Sequence, residues 1–263
     1  MAIELKDLAT GYHSKGNDKV VSKDLNAVVH SGELTCLIGP NGAGKSTLLR
    51  TIAGFQPAIS GDVLLDGQSV SSYESNELAK NISIVLTDNS NIQNLTAYEV
   101  VAMGRTPYTG FWGRLKSADK SIVQNCLQLV GIENIAQQAI QTLSDGERQK
   151  TMIAKAIAQE TPNILLDEPT AFLYYPNKVA IMMLLRRLAH EMGKAVLLSI
   201  HDIDLALQVA DKILFMQKDG SIICGTPEQL CENGTIEQQI TGSDIEFDRT
   251  NMAFKVKKVY NNK

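Results

Sequence analysis

A glycine-rich segment near the start of the chain reads Gly39-Pro40-Asn41-Gly42-Ala43-Gly44-Lys45-Ser46-Thr47. It matches the pattern G-x-x-x-x-G-K-[S/T], follows the apolar run at residues 34–38 and opens a helix predicted for residues 47–53. The glycines let the backbone curl until several N–H groups point at one anion, and the start of the helix adds its dipole. An ordinary glycine-rich turn is the alternative. The order strand, motif, helix favours a phosphate-binding loop in which Lys45 contacts the outer phosphates and Ser46 binds magnesium.

The composition is that of a globular protein. The chain has 263 residues, of which 44% are hydrophobic and 21% charged, so collagen-like and largely disordered classes are excluded. Twenty-five basic residues against 29 acidic ones give a net charge of −4, which argues against nucleic-acid binding. The apolar runs are too short for a membrane helix, no signal-peptide pattern is visible, and the four cysteines match neither a disulfide framework nor a zinc site. We expect a soluble, reduced, intracellular protein.

Short apolar runs alternate with helical patterns along the chain. Continuous apolar runs predict buried strands at residues 34–38, 164–166 and 195–200, and spaced apolar residues predict an amphipathic helix at 178–191. This alternation indicates a parallel sheet with helical crossovers. The N-terminal third, together with a hairpin predicted at residues 212–225, indicates a second layer of antiparallel sheet.

Helical segments at residues 117–130 and after Thr142 interrupt this alternation as an inserted lobe. We therefore predict an α/β phosphate-loop NTPase fold with a parallel-sheet core, an antiparallel β subdomain and an inserted helical subdomain. A single domain should span residues 1–240, with the helical insertion at about residues 88–160. Residues 241–263 should form a weakly ordered tail.

Two acids, Asp167 and Glu168, directly follow the apolar run at residues 164–166. The carboxyl ends of neighbouring parallel strands share one crevice, so these acids can face the phosphate loop. Asp167 would complete a magnesium shell, and Glu168 would act as general base toward the attacking water. The alternative is that both acids merely end a strand at the surface. Beside a phosphate loop, the catalytic interpretation is favoured.

Between these two motifs lies Leu143-Ser144-Asp145-Gly146-Glu147-Arg148-Gln149-Lys150. It resembles the LSGGQ-type signature of ATP-binding cassette (ABC) proteins, and Ser199-Ile200-His201-Asp202 follows the acids in the order of that family. The resemblance runs from about Ile3 to Thr226. Taken alone, Ser144 and Glu147 fit a capping box, which leaves helix amides exposed to an anion. A plain helix cap without a ligand is the alternative for that segment.

The resemblance assigns further roles. It implies ATP and Mg²⁺ as cofactors and a head-to-tail homodimer, in which the signature of one chain closes over the γ-phosphate held by the other. His201 corresponds to the switch histidine that contacts the γ-phosphate. Tyr12 corresponds to the aromatic residue that stacks on adenine, although packing on the antiparallel layer is nearly as plausible for it. The implied site comprises catalytic Glu168 and His201, metal-binding Ser46 and Asp167, and nucleotide-binding Tyr12, Gly39, Pro40, Asn41, Gly42, Ala43, Gly44, Lys45, Ser46, Thr47, Ser144 and Gly146.

Three positions depart from the family pattern. Thr87 stands where relatives have a glutamine that touches magnesium and the transport partner. Asp145 replaces the first glycine of the signature pair and would modestly weaken ATP closure by charge repulsion. Tyr174 replaces an aspartate that helps to couple the two sites of the dimer. We still expect ATP hydrolysis, because the phosphate-loop lysine, both acids and the switch histidine are present.

The segment Gly104-Arg105-Thr106-Pro107-Tyr108-Thr109-Gly110 resembles importer ATPases for iron-siderophores, haem and vitamin B12. This resemblance implies an importer subunit that works with separate membrane permeases and, indirectly, with a substrate-binding protein. It also implies a peripheral position on the cytoplasmic face of the inner membrane. Pro107-Tyr108, with Phe111-Trp112 nearby, would form a partner groove or pack within its own loop. The alternatives are a regulatory or nucleic-acid-associated ABC ATPase, disfavoured by the single phosphate loop and acidic charge, and an unrelated phosphate-loop kinase or GTPase, disfavoured by the signature.

Overall fold

The computed structural model describes residues 2–14, 17–87, 92–110, 113–239 and 244–257. Its strands are β1 (Ala2–Tyr12), β2 (Lys19–His30), β3 (Leu34–Ile38), β4 (Ser60–Leu65), β5 (Gln68–Ser69), β6 (Ile82–Val85), β7 (Asn163–Leu166), β8 (Ala195–Ser199), β9 (Lys212–Met216), β10 (Ile222–Gly225), β11 (Ile245–Asp248) and β12 (Ala253–Val256). Its α-helices are α1 (Lys45–Ile52), α2 (Ser75–Asn81), α3 (Ala97–Ala102), α4 (Ser117–Leu129), α5 (Asp145–Ala158), α6 (Tyr175–His190), α7 (Ile203–Val209), α8 (Pro227–Glu232) and α9 (Thr235–Gln239). Among the described residues, no helix is long and apolar enough to cross a membrane.

The main sheet has the strand order β10-β9-β3-β8-β7-β6. β3 pairs in parallel with β8 and β9, and β7 pairs in parallel with β6 and β8. Every residue of β3, β7 and β8 is buried, as their continuous apolar sequences predicted. The parallel core is confirmed, and it brings the segments that follow β3, β7 and β8 to one edge of the sheet.

A second, antiparallel sheet has the order β2-β1-β4-β5. The hairpin at residues 212–225 forms as predicted, but its assignment to this second layer is wrong. β9 pairs in parallel with β3, and β10 extends the main sheet from β9. The reason is burial: the apolar residues of β9 are all buried and need cover on both faces, which an inner position in the main sheet supplies.

The helical lobe contains α3, α4 and α5, between β6 and β7. Arg105 is buried in it, where its Nε donates to Asp119 Oδ1 at 3.0 Å and its Nη1 to the carbonyl of Ala158 at 2.7 Å. Tyr108 stacks under this guanidinium at 4.1 Å and donates its hydroxyl to the Gln159 carbonyl. Tyr108 therefore packs within its own chain, as the second of the two alternatives for this segment predicts. Phe111 and Trp112 lie outside the described residues.

The C-terminal part differs from the weakly ordered tail that we predicted. β11 and β12 form an antiparallel hairpin, in which the rings of Phe247 and Phe254 lie 4.9 Å apart. The Phe254 N–H donates to Asp204 on α7, and Arg249 pairs with Glu237 on α9. The lysines of this segment led to the prediction of a weakly ordered tail, which took no account of the two phenylalanines that pack together. The boundaries at residues 240 and 88–160 remain predictions.

Candidate functional site

The phosphate-loop motif forms the turn between β3 and α1. Gly39 has a φ of 152°, and a Cβ there would lie 2.5 Å from the Met216 carbonyl oxygen, so only glycine fits. Gly44 has a φ of 104° and stands at the N-cap of α1, where it has no side chain to bond the first amides of the helix. Those amides are available to an anion, as the phosphate-loop interpretation requires.

Lys45 is 6% exposed and lies inside this loop. Its ammonium donates to the carbonyls of Gly39 at 2.8 Å and Pro40 at 3.3 Å. Burial lowers the pKa of Lys45, while the nearby carboxylates of Glu168 and Asp167 act in the opposite direction. The ammonium therefore lies at the phosphate loop with two weak neutral acceptors that a phosphate oxygen can replace.

Asp167 directly follows β7 and lies next to the first turn of α1. Its Oδ1 accepts hydrogen bonds from Ser46 Oγ at 3.0 Å and from Ser199 Oγ at 2.7 Å. A carboxylate and a hydroxyl within 3.0 Å are hard oxygen donors of the kind Mg²⁺ prefers, so the residues present fit this ion. Ser199 was missed by the sequence analysis. Its signal was a polar residue at the buried end of an otherwise apolar strand, where a hydroxyl needs a partner.

Glu168 has a φ of 51°, an uncommon conformation for a non-glycine residue. Its N–H donates to Ser199 Oγ at 2.9 Å, and its Oε1 lies 2.5 Å from His201 Nε2. The Glu168 carboxylate thus contacts the histidine that lies two residues after β8. The two predicted catalytic residues are therefore in direct contact, at the carboxyl edge of the sheet.

These residues border an open cleft of about 310 Å³. It is lined by Tyr12, Lys19, Val21, Asn41, Gly42, Gly44, Lys45, Ser46, Thr47, Glu168 and His201. Tyr12 is half exposed at its rim, and its hydroxyl lies 3.2 Å from Thr47 Oγ1, so the ring is not packed into the antiparallel sheet. Of the other predicted residues, Gly39, Pro40 and Ala43 shape the loop, and Asp167 lies buried behind Ser46. Lys19 and Val21 were not predicted, because nothing in their local sequence marks them.

Ser144 and Gly146 are not among the residues that line this cleft. Ser144 caps α5, and its hydroxyl and N–H both bond the Glu147 carboxylate, which completes the predicted capping box and lowers the pKa of Glu147. A Cβ on Gly146 would lie 3.3 Å from Asn177 Nδ2. The start of the signature helix therefore lies against the start of α6, outside the chain's own phosphate site.

The departures from the family pattern have defined surroundings. The Thr87 hydroxyl donates to the backbone carbonyl of Asp167 at 3.0 Å. The Asp145 side chain is largely exposed and lies 3.6 Å from Arg148. Tyr174, at the N-cap of α6, is 77% exposed, and Phe172 beside it is 92% exposed. Aromatic residues thus project from the loop between the acids and α6.

The chain is similar to known proteins of one family. A family description for ABC transporters matches residues 22–171. An ABC transporter ATP-binding protein of Methanocaldococcus jannaschii is 41% identical over 90% of this chain and 80% of its own length. The iron(3+)-hydroxamate import ATP-binding protein of Bacillus subtilis is 34% identical over 95% of this chain and 92% of its own length. A dimeric ABC transporter cassette superposes with a TM-score of 0.75, at 29% identity, over 86% of this chain and 98% of that one. The chain therefore belongs to the ABC transporter family and is an ATP-binding ATPase of that family.

Proposed function

We propose that the chain is the ATP-hydrolysing subunit of an importer for iron chelates, haem or cobalamin-type compounds. One observation carries the ATPase role: the Lys45 ammonium, the Ser46–Asp167 pair and the Glu168–His201 pair meet at one cleft. The choice of substrate class rests on the iron(3+)-hydroxamate import protein, whose sequence matches over nearly the whole chain. The transported compound would pass through separate permease subunits, supplied by a binding protein, and this chain would lie on the cytoplasmic face of the membrane.

The residues of the cleft supply the chemistry in three parts. Loop amides and Lys45 would bind the phosphates, with Tyr12 against the adenine ring. Ser46 and Asp167 would hold Mg²⁺, which neutralises charge on the β- and γ-phosphate oxygens when bound. Glu168 would accept a proton from the attacking water, since its Oε1 faces the cleft beside His201. His201 would fix that carboxylate and contact the γ-phosphate.

We further propose a head-to-tail homodimer. Ser144 and Gly146 lie outside their own chain's cleft, at a helix N-terminus that is suited to an anion. They would reach ATP only as part of a second copy, and the dimeric cassette with the same fold supports this arrangement. ATP would then be bound between the phosphate loop of one subunit and the signature of the other.

A groove between the core and the helical lobe is our candidate for permease docking. It has a volume of about 290 Å³ and is lined by Gly54 and Phe55 after α1, by Leu78 on α2, by Lys155 on α5 and by Gln159 directly after that helix. Phe55 is 64% exposed. Among the described residues, the Lys155 ammonium has no hydrogen-bond acceptor or ion-pair partner, and burial lowers its pKa. A permease segment that carries an apolar side chain and a carboxylate would fit both features.

Transport assays test this function. Cells that lack the chain should lose uptake of radiolabelled iron–hydroxamate, haem or cobalamin, and the parent gene should restore it while a Lys45→Ala gene should not. If none of the three compounds depends on the chain, the substrate class is wrong. For docking, Lys155→Glu should release the chain from permease-containing membranes, while Lys120→Glu, at an exposed position of α4, should not. Equal retention of both variants would exclude this groove.

A further inference from the structure

Two side-chain contacts join the segment after β7 to the segment after β8. The first is the contact of His201 Nε2 with Glu168 Oε1 at 2.5 Å. The second is an ion pair between Lys178 Nζ and Asp202 Oδ2 at 3.2 Å. His201 and Asp202 are adjacent after β8, whereas Glu168 and Lys178 lie at the start and the end of the segment that leads from β7 into α6.

The backbone of His201 is fixed differently on its two sides. On the N-terminal side, Ile200 is buried, and its N–H donates to the Leu37 carbonyl at 3.1 Å, which attaches it to the sheet. On the C-terminal side, Asp202 holds the chain. Its Oδ1 accepts from the Leu205 N–H at 3.3 Å and caps α7, while its Oδ2 binds Lys178. Lys178 therefore helps to fix the backbone only on the C-terminal side of His201.

Lys178 is itself well placed to hold a fixed position. It lies in the first turn of α6, and its N–H donates to the Tyr174 carbonyl at 3.1 Å. Its side chain is 27% exposed and that of Asp202 is 23% exposed, so water screens this pair less than a fully exposed one. The first turn of α6 also ends the loop that starts at Glu168. The Glu168–His201 contact and the ion pair thus connect the two ends of this loop to the histidine segment.

We propose that Lys178 is a positioning residue that holds His201 against Glu168 through Asp202. Without the ammonium, a half-buried carboxylate would lose its counter-charge and turn toward water. The first turn of α7 would loosen with it, and His201 would spend less time in contact with Glu168. Nucleotide binding would persist, because Lys178 is not among the residues that line the cleft.

The test uses the full-length chain and rests on the proposed ATP hydrolysis. Lys178→Met keeps the length of the side chain and removes its charge. We expect kcat to fall about three- to tenfold, the range of a partly shielded ion pair, with the KM for ATP unchanged within about twofold. Lys178→Arg should restore most of the rate. Lys120→Met, at an exposed position of α4 where Lys120 has no ion pair with any of the described residues, is the matched control and should leave both constants unchanged.

A double-mutant cycle separates this role from general destabilisation. Asp202→Asn keeps a capping oxygen but removes the charge, so it should slow hydrolysis as Lys178→Met does. The double variant should be no slower than Asp202→Asn alone. The proposal would be overturned if Lys178→Met kept the parental kcat, or if its KM for ATP rose by as large a factor as its kcat fell. Additive losses of kcat in the double variant would also overturn it. If the parent chain hydrolyses no ATP with Mg²⁺, the proposed function fails first, and this inference fails with it.

Discussion

Ser199→Ala removes a single buried oxygen that contacts both acids of the site. Ser199 Oγ donates to Asp167 Oδ1 at 2.7 Å and accepts from the Glu168 N–H at 2.9 Å. The side chain is fully buried, so water cannot take its place without local opening. The variant leaves the Glu168 N–H without its described partner and leaves Asp167 Oδ1 with Ser46 as its described donor. The positions of both acidic side chains should therefore be less well ordered.

The size of the effect follows from these two bonds. A hydrogen bond to a charged group contributes about 1.5–3 kcal/mol, and a buried donor left unpaired costs about 1–3 kcal/mol. The two contributions overlap, so we expect a loss of about 3 kcal/mol in the free energy of unfolding. Each kcal/mol lowers the melting temperature of a chain of this size by about 2–4 °C, which gives a fall of about 6–12 °C. Because Glu168 is less well oriented, kcat should fall about 10- to 100-fold.

The control is Ser83→Ala on β6. Ser83 is also buried, and its Oγ accepts a hydrogen bond from Thr161 at 3.0 Å, but it does not line the cleft. It should lose about 1 kcal/mol of stability, the contribution of a neutral hydrogen bond, and keep its kcat. Melting curves and steady-state ATP hydrolysis measure both quantities. If Ser199→Ala melted at a lower temperature but hydrolysed ATP within twofold of the parent, the argument that this serine orients the acids would be refuted.

Four further predictions follow from the site and the lobe. Lys45→Ala should weaken ATP binding about 10- to 100-fold in a fluorescence titration, since it removes a charged phosphate donor, and unchanged affinity would contradict the phosphate-loop assignment. Glu168→Gln should bind ATP but lower kcat about 10²- to 10⁴-fold, and gel filtration with ATP and Mg²⁺ should show a trapped dimer; parental turnover would remove Glu168 from catalysis. The Lys116 N–H and the Arg105 side chain lower the pKa of Asp119, so its contribution to stability is complete above its ordinary pKa of about 4 and is lost as the pH falls further. Asp119→Asn should therefore melt below the parent at pH 7, with a gap that narrows toward pH 3, and a gap independent of pH would contradict this. Tyr174→Asp should raise the ATPase rate of the assembled transporter about twofold or more, which corresponds to a fall of about 0.4 kcal/mol in the activation free energy. If neither Tyr174→Asp nor Tyr174→Ala changed this rate, Tyr174 would be an exposed residue without a role in coupling.

The sequence was most informative where local chemistry and burial agree. The strands β3, β7 and β8 are continuous apolar runs, and each is followed by a residue or motif whose chemistry needs the edge of the sheet. That combination predicted both the parallel core and the meeting of Lys45, Asp167, Glu168 and His201. A parallel arrangement explains the success, because it brings the ends of all these strands together whatever the intervening loops do.

Long-range partners were not predictable in the same way. Lys19 and Lys178 act beside residues far away in sequence, and no local pattern identifies such neighbours. A buried serine at the end of β8 indicates that Ser199 needs a partner, but not which residue that partner is. The hairpin of β9 and β10 shows the same limit at the level of strands. Its turn residues indicated the pairing of β9 with β10, but the sheet that the hairpin joins depends on β9 pairing with the edge of β3 that β8 leaves free. Local propensity decides local pairing, and burial across the whole fold decides the rest.

The three departures from the family pattern have unequal consequences, which the sequence alone did not distinguish. The Asp145 side chain is largely solvent-facing in the single chain, where Arg148 lies 3.6 Å away and offsets part of its charge. The Thr87 hydroxyl is bonded to the Asp167 carbonyl, which links the end of β6 to the magnesium-binding segment without the longer reach of a glutamine. Tyr174 and the nearby Phe172 are both mostly exposed to solvent, on the loop that leads from the acids to α6. Large apolar rings on a short loop at a catalytic edge gain contacts only when another surface covers them. Of the three, Tyr174 is therefore the residue through which this chain should differ most from its relatives, and that difference should appear in the assembled dimer rather than in ATP affinity.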